Sequence, residues 1–264
     1  MHIHPLDTFR PRDSMVHELD ARVKLVTALL FIICTALTPD GAWVAYALMW
    51  LLILAIVLAS RLGVACVLRR SLVAVPFTLA ALPIVFSTSG DALLVIPVFS
   101  WRLALSGAGL VRFSSILLKS WLSVQVAVVL TGSTSFPLLL QAMRSLRVPK
   151  VLVAIAGFTY RYIFVIADET MRLVRARSAR SAAYDGKGGR SVLWRASVTG
   201  NMAGSMFLRS LERSERIYAA MVSRGYNGEM RSLSAPELRA WDVFRGLPVV
   251  AALVVIQVVA RLWL

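Results

Sequence analysis

The chain contains apolar stretches that are too long for the core of a small soluble domain. A helix needs roughly 20 apolar residues to cross the hydrocarbon core of a bilayer, and tilt or local thinning accommodates somewhat fewer. The mean hydropathy of +0.72 and the charged fraction of 16% are typical of a membrane protein. The sequence therefore predicts an all-α polytopic membrane protein with about five transmembrane helices, over residues 23–38, 42–59, 71–88, 108–131 and 247–263.

Two apolar stretches depart from a simple transmembrane helix. Pro76 and Pro83 interrupt residues 71–88, so we expect a kinked or broken helix there. A sixth stretch, residues 151–167, has Arg161 at its centre, which would cost about 2.5–3.5 kcal/mol in the middle of the bilayer. We therefore expect this sixth stretch to lie as a tilted helix at the inner face of the membrane rather than to cross it.

The basic residues are concentrated in one part of the chain. The net charge is +15, and residues 168–246 carry fourteen Lys or Arg. Because cytoplasmic loops of membrane proteins are rich in Lys and Arg, we expect a multi-pass protein of the plasma (inner) membrane. Its N-terminus and residues 132–246 would be cytoplasmic, and its C-terminus would lie outside. A nucleic-acid surface would place aromatic side chains beside the arginines, and this segment has few, so we expect no nucleic-acid partner.

This reading divides the chain into three parts. Residues 1–131 form a membrane bundle of four spans, residues 132–246 form a cytoplasmic and interfacial region, and residues 247–264 form the last transmembrane helix. In the middle part, Ser135 and Pro137 predict the start of a helix.

A long amphipathic helix is predicted over about residues 192–224 in the same region. Glu212 and Arg216 are spaced to pair on one face. Another face carries apolar side chains at helical spacing, namely Phe207, Leu211, Tyr218 and Met221.

Two short arginine motifs lie near the ends of cytoplasmic helices. In Ser223–Arg224–Gly225, the glycine stands where a helix C-terminus favours a left-handed residue, and the helix dipole favours the positive charge of the arginine. Ala179–Arg180–Ser181 has a similar pattern of small residue, arginine and small residue. The adjacent Ala176–Arg177–Ser178 leaves the register of this first motif open, and we favour Arg180.

With these two motifs, the chain resembles the transmembrane (T) component of energy-coupling factor (ECF) transporters, the EcfT/CbiQ family, and particularly its cobalt-type branch, CbiQ. The resemblance covers nearly the whole chain and is strongest from 137 to 228. The first motif departs from the Ala-Arg-Gly-like pattern of the family by ending in serine. Supporting strings are HELDARVKL at 17–25, PLLLQAMRSLRVPKVLVA at 137–154, TYRYIFVIADETMRL at 159–173 and SERIYAAMVSRGYNG at 214–228.

The resemblance implies a non-enzymatic subunit of an ABC-type importer, embedded in the lipid bilayer. Two ATPase subunits would hydrolyse ATP, and a separate membrane (S) subunit would bind the substrate. Arg180 and Arg224 would anchor the ATPase subunits, with the apolar face of the long helix packing around them. The cobalt branch implies uptake of cobalt or nickel ions, and biotin or another vitamin remains an alternative.

No metal site and no cofactor is expected in this chain. Cys34 and Cys66 lack the spacing of metal ligands and fit small packed hydrophobes. His2, His4 and His17 could offer imidazole ligands for cobalt or nickel. We favour a terminal segment without bound metal.

Two other classes of membrane protein are weaker alternatives. An enzyme needs catalytic groups that share a site, and the adjacent Asp168 and Glu169 project about 100° apart on a helix. A self-contained secondary transporter could use Lys119 or Arg161 as an intramembrane charge. Such carriers often contain internal inverted repeats, and the sequence shows none.

Overall fold

The computed structural model describes residues 12–87, 92–98, 101–180, 191–228 and 240–262. The chain divides into two compact units. Among the described residues, we call the unit that covers 12–146 and 240–262 the bundle, and the unit that covers 147–180 and 191–228 the helical hairpin.

The described residues are mainly helical, which confirms the predicted fold class. Strands β1 (Ala92–Val98) and β2 (Trp101–Ser106) form one antiparallel β-hairpin, which the sequence analysis did not predict. The helices in chain order are α1 (Met15–Glu18), α2 (Ala21–Leu37), α3 (Trp43–Ser60), α4 (Val64–Ser71), α5 (Val75–Leu79), α6 (Pro83–Ser87), α7 (Gly107–Ser133), α8 (Phe136–Ser145), α9 (Lys150–Arg180), α10 (Val192–Ser223) and α11 (Ala240–Leu262).

Polar contacts between residues far apart in the sequence show in which direction each bundle helix runs. Near the start of α2, the Lys24 ammonium donates to the carbonyl of Ser133 at the end of α7, at 3.4 Å. In the turn between α2 and α3, Asp40 pairs with Lys119 of α7 at 2.7 Å. We call these two ends of the bundle the Lys24 end and the Asp40 end. Helix α2 therefore runs from the Lys24 end to the Asp40 end, and α3 and α7 run back.

Helix α11 runs in the same direction as α2. Arg245 in its second turn lies 3.8 Å from Glu18, just before α2 begins. Further along α11, the Gln257 amide donates to the Thr38 hydroxyl at 3.1 Å, just after α2 ends. Helix α7 therefore ends, and α11 begins, at the same, Lys24, end.

The proline-containing stretch 71–88 passes along the bundle as a broken segment. Its helical residues are divided between the end of α4, a single 3₁₀ turn, α5 and α6, as the two prolines predict. Leu62, before α4, packs against Gly132 at the Lys24 end, and Val85 of α6 packs against Gly109 near the start of α7. The bundle therefore contains five passes, one of them broken.

Apolar side chains occupy both the inside and the outside of the bundle. Met49, Ile53, Leu122 and Leu253 are fully buried where α2, α3, α7 and α11 pack. Large apolar side chains that face outward are stable in contact with lipid. Together with the long apolar helices, they show that the chain is a multi-pass membrane protein. Outward-facing residues on α2, α3 and α11 include Leu29, Ile33, Leu51, Leu58, Val254, Val255 and Val258.

Four of the described helices are long and apolar enough to cross a membrane: α3, α7, α9 and α11. Helix α2 has 17 residues, which corresponds to about 25 Å. Helix α9 contains residues 151–167, and its length and composition would permit a crossing. The expected position of 151–167 at the inner face of the membrane therefore stays a prediction. Since α7 ends and α11 begins at the Lys24 end, the chain between them must cross the membrane an even number of times or not at all.

Lys119 is paired where α7 passes the turn between α2 and α3. Its ammonium contacts Asp40, and Arg112 lies 3.8 Å from the same carboxylate. Helix α7 continues for about three turns beyond this point, towards its start at Gly107. The ion pair accounts for Lys119 without a transport role, which weakens the alternative of a self-contained carrier.

Candidate functional site

Helices α9 and α10 pack side by side in antiparallel directions. Late in α9, the Arg177 guanidinium donates to the Thr199 hydroxyl early in α10, at 3.2 Å. Early in α9, the Phe158 ring meets the Tyr226 ring just after α10, edge to face at 6.5 Å between centroids. These two contacts define the ends of the helical hairpin.

An ion pair joins the two helices near the middle of the hairpin. The Glu169 carboxylate of α9 lies 2.8 Å from Arg213 and 3.8 Å from Arg209 of α10. Beside it, the Thr170 hydroxyl lies 3.3 Å from the sulfur of Met206. Glu169 is largely screened from solvent, with 21% of its side chain exposed, so this pair is stronger than a fully exposed one.

The sequence analysis missed the role of Glu169 because it compared this residue only with the adjacent Asp168, as a candidate catalytic pair. The available signal was an acidic residue in α9 together with Arg209 and Arg213 in α10, which are spaced by one helical turn. Within α10, the predicted pairing of Glu212 with Arg216 is confirmed at 3.9 Å.

The face of α10 that packs against α9 differs from the apolar face singled out in the sequence. Phe207, Leu211 and Tyr218 are 67%, 49% and 63% exposed. Met221 lies at the border between the two faces and is partly buried. The partly buried face is formed by Met202, Met206, Ser210, Arg213, Ile217 and Met221.

The second arginine motif ends α10 in the predicted way. The helix finishes at Ser223, and Gly225 has the left-handed φ of +80°. The Tyr226 N–H donates to the Met221 carbonyl at 3.0 Å and the Gly225 N–H to the carbonyl of residue 222 at 2.9 Å, which is a Schellman motif. Ser223 and Arg224 are exposed at this end.

The first arginine motif lies at the other end of the hairpin. Ala179 and Arg180 are exposed in the last turn of α9, and Ser181 lies outside the described residues. Arg177 is partly buried and bonded to Thr199. Arg180 has no hydrogen bond or ion pair to any residue that the structure describes. The two candidate arginines therefore differ in their contacts: Arg177 binds within the hairpin, whereas Arg180 faces outward.

The structure places Arg180 and Arg224 far apart. Arg180 follows Phe158 by 22 residues of α9, which corresponds to about 33 Å. Arg224 stands two residues before Tyr226, whose ring contacts Phe158. The two motifs consequently lie at opposite ends of the helical hairpin and do not form one site.

An open, mainly apolar cavity of about 610 Å³ lies between α9 and α10 on the Arg224 side of the hairpin. Its few polar groups include the guanidinium of Arg213, which is already paired with Glu169. Such a surface is suited to apolar side chains rather than to a charged ligand. It is lined by Phe158, Thr159, Tyr162, Ile163 and Ile166 of α9 and by Ser210, Arg213, Ser214, Ile217, Tyr218 and Met221 of α10.

The described part of the chain contains no group of three or more His, Cys, Asp or Glu side chains arranged to hold a metal ion. His2 and His4 lie outside the described residues. The Nδ1 atom of His17 shares a hydrogen bond with the Ser14 hydroxyl at 2.7 Å, so this ring nitrogen already has a partner within the protein.

Comparisons with known proteins point to one family. The family model for CbiQ, described as a cobalt transport protein, matches residues 12–234. The chain is 26% identical over 265 residues to the energy-coupling factor transporter transmembrane protein EcfT of Lactococcus lactis, covering 96% of this chain and 95% of that protein.

Two further relatives match parts of the chain. The cobalt transport protein CbiQ of Rhodobacter capsulatus is 29% identical over 155 residues, covering 59% of this chain and 61% of that protein. An uncharacterized protein of Methanocaldococcus jannaschii is 25% identical over 239 residues, covering 87% of this chain and 77% of the relative.

Proposed function

The chain belongs to the CbiQ family of cobalt transport proteins, and from this membership we propose that it transmits ATPase motion to a substrate-binding membrane subunit. It is the transmembrane component of an energy-coupling factor transporter, related to EcfT. In the proposed complex, two ABC-type ATPase subunits hydrolyse ATP, and this chain couples them to transport without carrying out catalysis itself.

The observation that carries this proposal is the placement of two exposed arginines at opposite ends of one helical hairpin. Arg180 and Arg224 are about 33 Å apart along the helices, and this separation supports the proposal that each binds a different ATPase subunit. A guanidinium donates several hydrogen bonds in a fixed planar geometry. Bonds of this kind to carboxylate or carbonyl acceptors are strengthened by its charge.

The apolar surfaces of the hairpin support the same role. Phe207 and Leu211 are exposed on α10, and the cavity between α9 and α10 lies on the Arg224 side. In the proposed complex these surfaces pack against partner subunits around the arginine anchors. Closure of the ATPase pair then displaces the two ends of the hairpin, and the helices carry this motion to the substrate-binding subunit.

We further propose that the transported substrate is a cobalt or nickel ion. The family description and the name of the Rhodobacter capsulatus relative both specify cobalt transport. The EcfT relatives carry names that specify no substrate. This leaves biotin or another vitamin as the second candidate. The proposed orientation has the N-terminus and residues 132–246 in the cytoplasm, where ATP is available.

Alanine substitutions at the two exposed arginines test the proposal in the assembled transporter. We expect Arg180→Ala and Arg224→Ala each to lower transport, and the double variant to abolish it. The measurements are co-purification of the ATPase subunits and substrate uptake by liposomes that contain the complex.

Arg177→Ala is the matched control because it removes the same charge one turn away. Its side chain is bonded within the hairpin, so we expect ATPase co-purification to persist. A double variant of Arg180 and Arg224 that assembles and transports normally would rule out the proposed docking.

A further inference from the structure

The segment 12–24 contacts three other parts of the bundle at the Lys24 end. Its first described residue, Arg12, donates from its guanidinium to the carbonyl of Arg61, the residue that caps the end of α3. Lys24 contacts the end of α7, and Glu18 contacts α11 near its start. One short segment therefore connects α3, α7 and α11.

Lys24 makes the most buried of these contacts, with only 9% of the residue exposed. Its ammonium donates to the carbonyl of His17 at 3.0 Å and to that of Ser133 at 3.4 Å. These carbonyls belong to the last turns of α1 and α7, where carbonyls lack helical partners. The negative end of the α7 dipole also favours a cation there. Lys24 thus holds the end of α7.

The returning helix α11 is held beside the same segment. Arg245 lies 3.8 Å from Glu18 and stacks over the Trp241 ring at 5.6 Å. The next residue is Gly246, where a Cβ atom would lie 2.5 Å from a methyl carbon of Val23. The backbone of α11 therefore approaches α2 closely at Gly246 and Val23.

The acidic residues of the segment also make contacts within the chain. Asp20 caps α2 by accepting from the Arg22 N–H at 2.8 Å, and its carboxylate lies 4.0 Å from the Arg22 Nε atom. Glu18 pairs with Arg245 of α11. These carboxylates therefore serve the packing of the bundle.

We propose that residues 12–24 form a clasp that holds the end of α7 beside the start of α11, with Lys24 as its main positioning residue. This inference depends on the proposed function, since the hairpin that receives the ATPase motion lies in the chain between these two helix ends. Motion along that part of the chain reaches α7 and α11 at the ends that the clasp holds. The clasp makes the bundle move with these ends rather than letting them fray.

The test compares Lys24→Met, which keeps the apolar stem and removes the charge, with Lys24→Arg in the assembled transporter. We expect Lys24→Met to speed hydrogen exchange over residues 128–140 and to lower transport per ATP hydrolysed, each about tenfold, because charge-assisted hydrogen bonds are lost. ATPase co-purification should persist. Lys24→Arg should recover most of both losses.

Lys119→Met is the control, since it removes a partly buried ammonium at the opposite, Asp40, end and should leave exchange over 128–140 unchanged. Unchanged exchange in Lys24→Met would overturn the clasp. Faster exchange with normal transport per ATP would overturn the positioning role. Absence of ATPase subunits from the wild-type complex would instead overturn the proposed function, while the exchange measurement still decides on the clasp.

A second pair of variants applies if Lys24→Met does not accumulate. Glu18→Lys should lower transport per ATP, and the combination of Glu18→Lys with Arg245→Glu should restore it by reversing the charges. A combination that restores nothing would overturn the clasp.

Discussion

Individual arginines on the helical hairpin have different environments, and these suggest different roles. Arg213 is held by Glu169, and Arg177 is bonded to Thr199. Arg180 and Arg224 extend from opposite ends of the hairpin into solvent. A guanidinium held by a neighbour within the chain contributes to the shape of the hairpin, whereas an exposed one is available to a partner.

The geometry of the Arg224 contact is tested by replacing it with lysine. We expect Arg224→Lys to lower transport and ATPase co-purification, because an ammonium cannot reproduce the planar, forked donor geometry of a guanidinium. Thermal stability should stay unchanged, since either cation is favoured at the end of α10 by about 0.3–1 kcal/mol. Normal transport in Arg224→Lys would show that the residue acts only through its charge at the helix end.

Gly225 is required by the conformation at the end of α10. Its φ of +80° is strained for residues with a Cβ atom, so we expect Gly225→Ala to destabilise this helix end by about 1–2 kcal/mol. Faster hydrogen exchange over residues 218–226 would report the loss. Gly204→Ala is the matched control, because this helical glycine has open space around it. The control should instead stabilise α10 by about 0.8–1 kcal/mol. Equal effects at both glycines would contradict the prediction.

At the scale of the elements, the Glu169 pair links α9 to α10. We expect Glu169→Gln to weaken this link by about 1 kcal/mol, since the pair is only partly shielded from water. Hydrogen exchange over residues 202–217 measures the change. Combining Glu169→Arg with Arg213→Glu should restore protection.

Glu212→Gln provides the comparison for the Glu169 variant. The pair between Glu212 and Arg216 spans 3.9 Å and is exposed on both sides, so its loss should have no measurable effect on exchange. If the Glu212 and Glu169 variants behave alike, the interhelical pair does not hold the hairpin together.

At the scale of the whole molecule, the directions of the helices determine which segments share a side of the membrane. The turn at Asp40 lies at one end of the bundle, and α7 ends at the other. Since the basic residues of the chain are concentrated after α7, we expect the Lys24 end to be cytoplasmic.

Cysteine labelling of intact cells measures this orientation. In a background with Cys34 and Cys66 replaced by serine, an impermeant thiol reagent should label Ala42→Cys. It should label Ser145→Cys and Glu215→Cys only after the cells are opened. Labelling of Glu215→Cys in intact cells would place the hairpin outside and would exclude contact with cytoplasmic ATPase subunits.

The sequence by itself predicted the features that depend on neighbours along the chain. Apolar run lengths predicted the helical passes, and Pro76 and Pro83 predicted the break in 71–88. Gly225, directly after Arg224, predicted the left-handed conformation at the end of α10. Each of these follows from hydrogen bonding and steric contact within one or two turns, which the local sequence encodes. The β-hairpin over 92–106 was missed because its short apolar strands resemble any brief apolar run.

Only the tertiary structure decided which side chains meet between helices. Lys24 meets Ser133, Asp40 meets Lys119, and Glu169 faces Arg213 rather than its neighbour Asp168. It also decided that Arg177 is bonded within the hairpin and that the two motif arginines lie at opposite ends. These outcomes depend on the rotation and register of whole helices. Helical periodicity marks the faces of a helix, but it does not specify which other helix each face will contact.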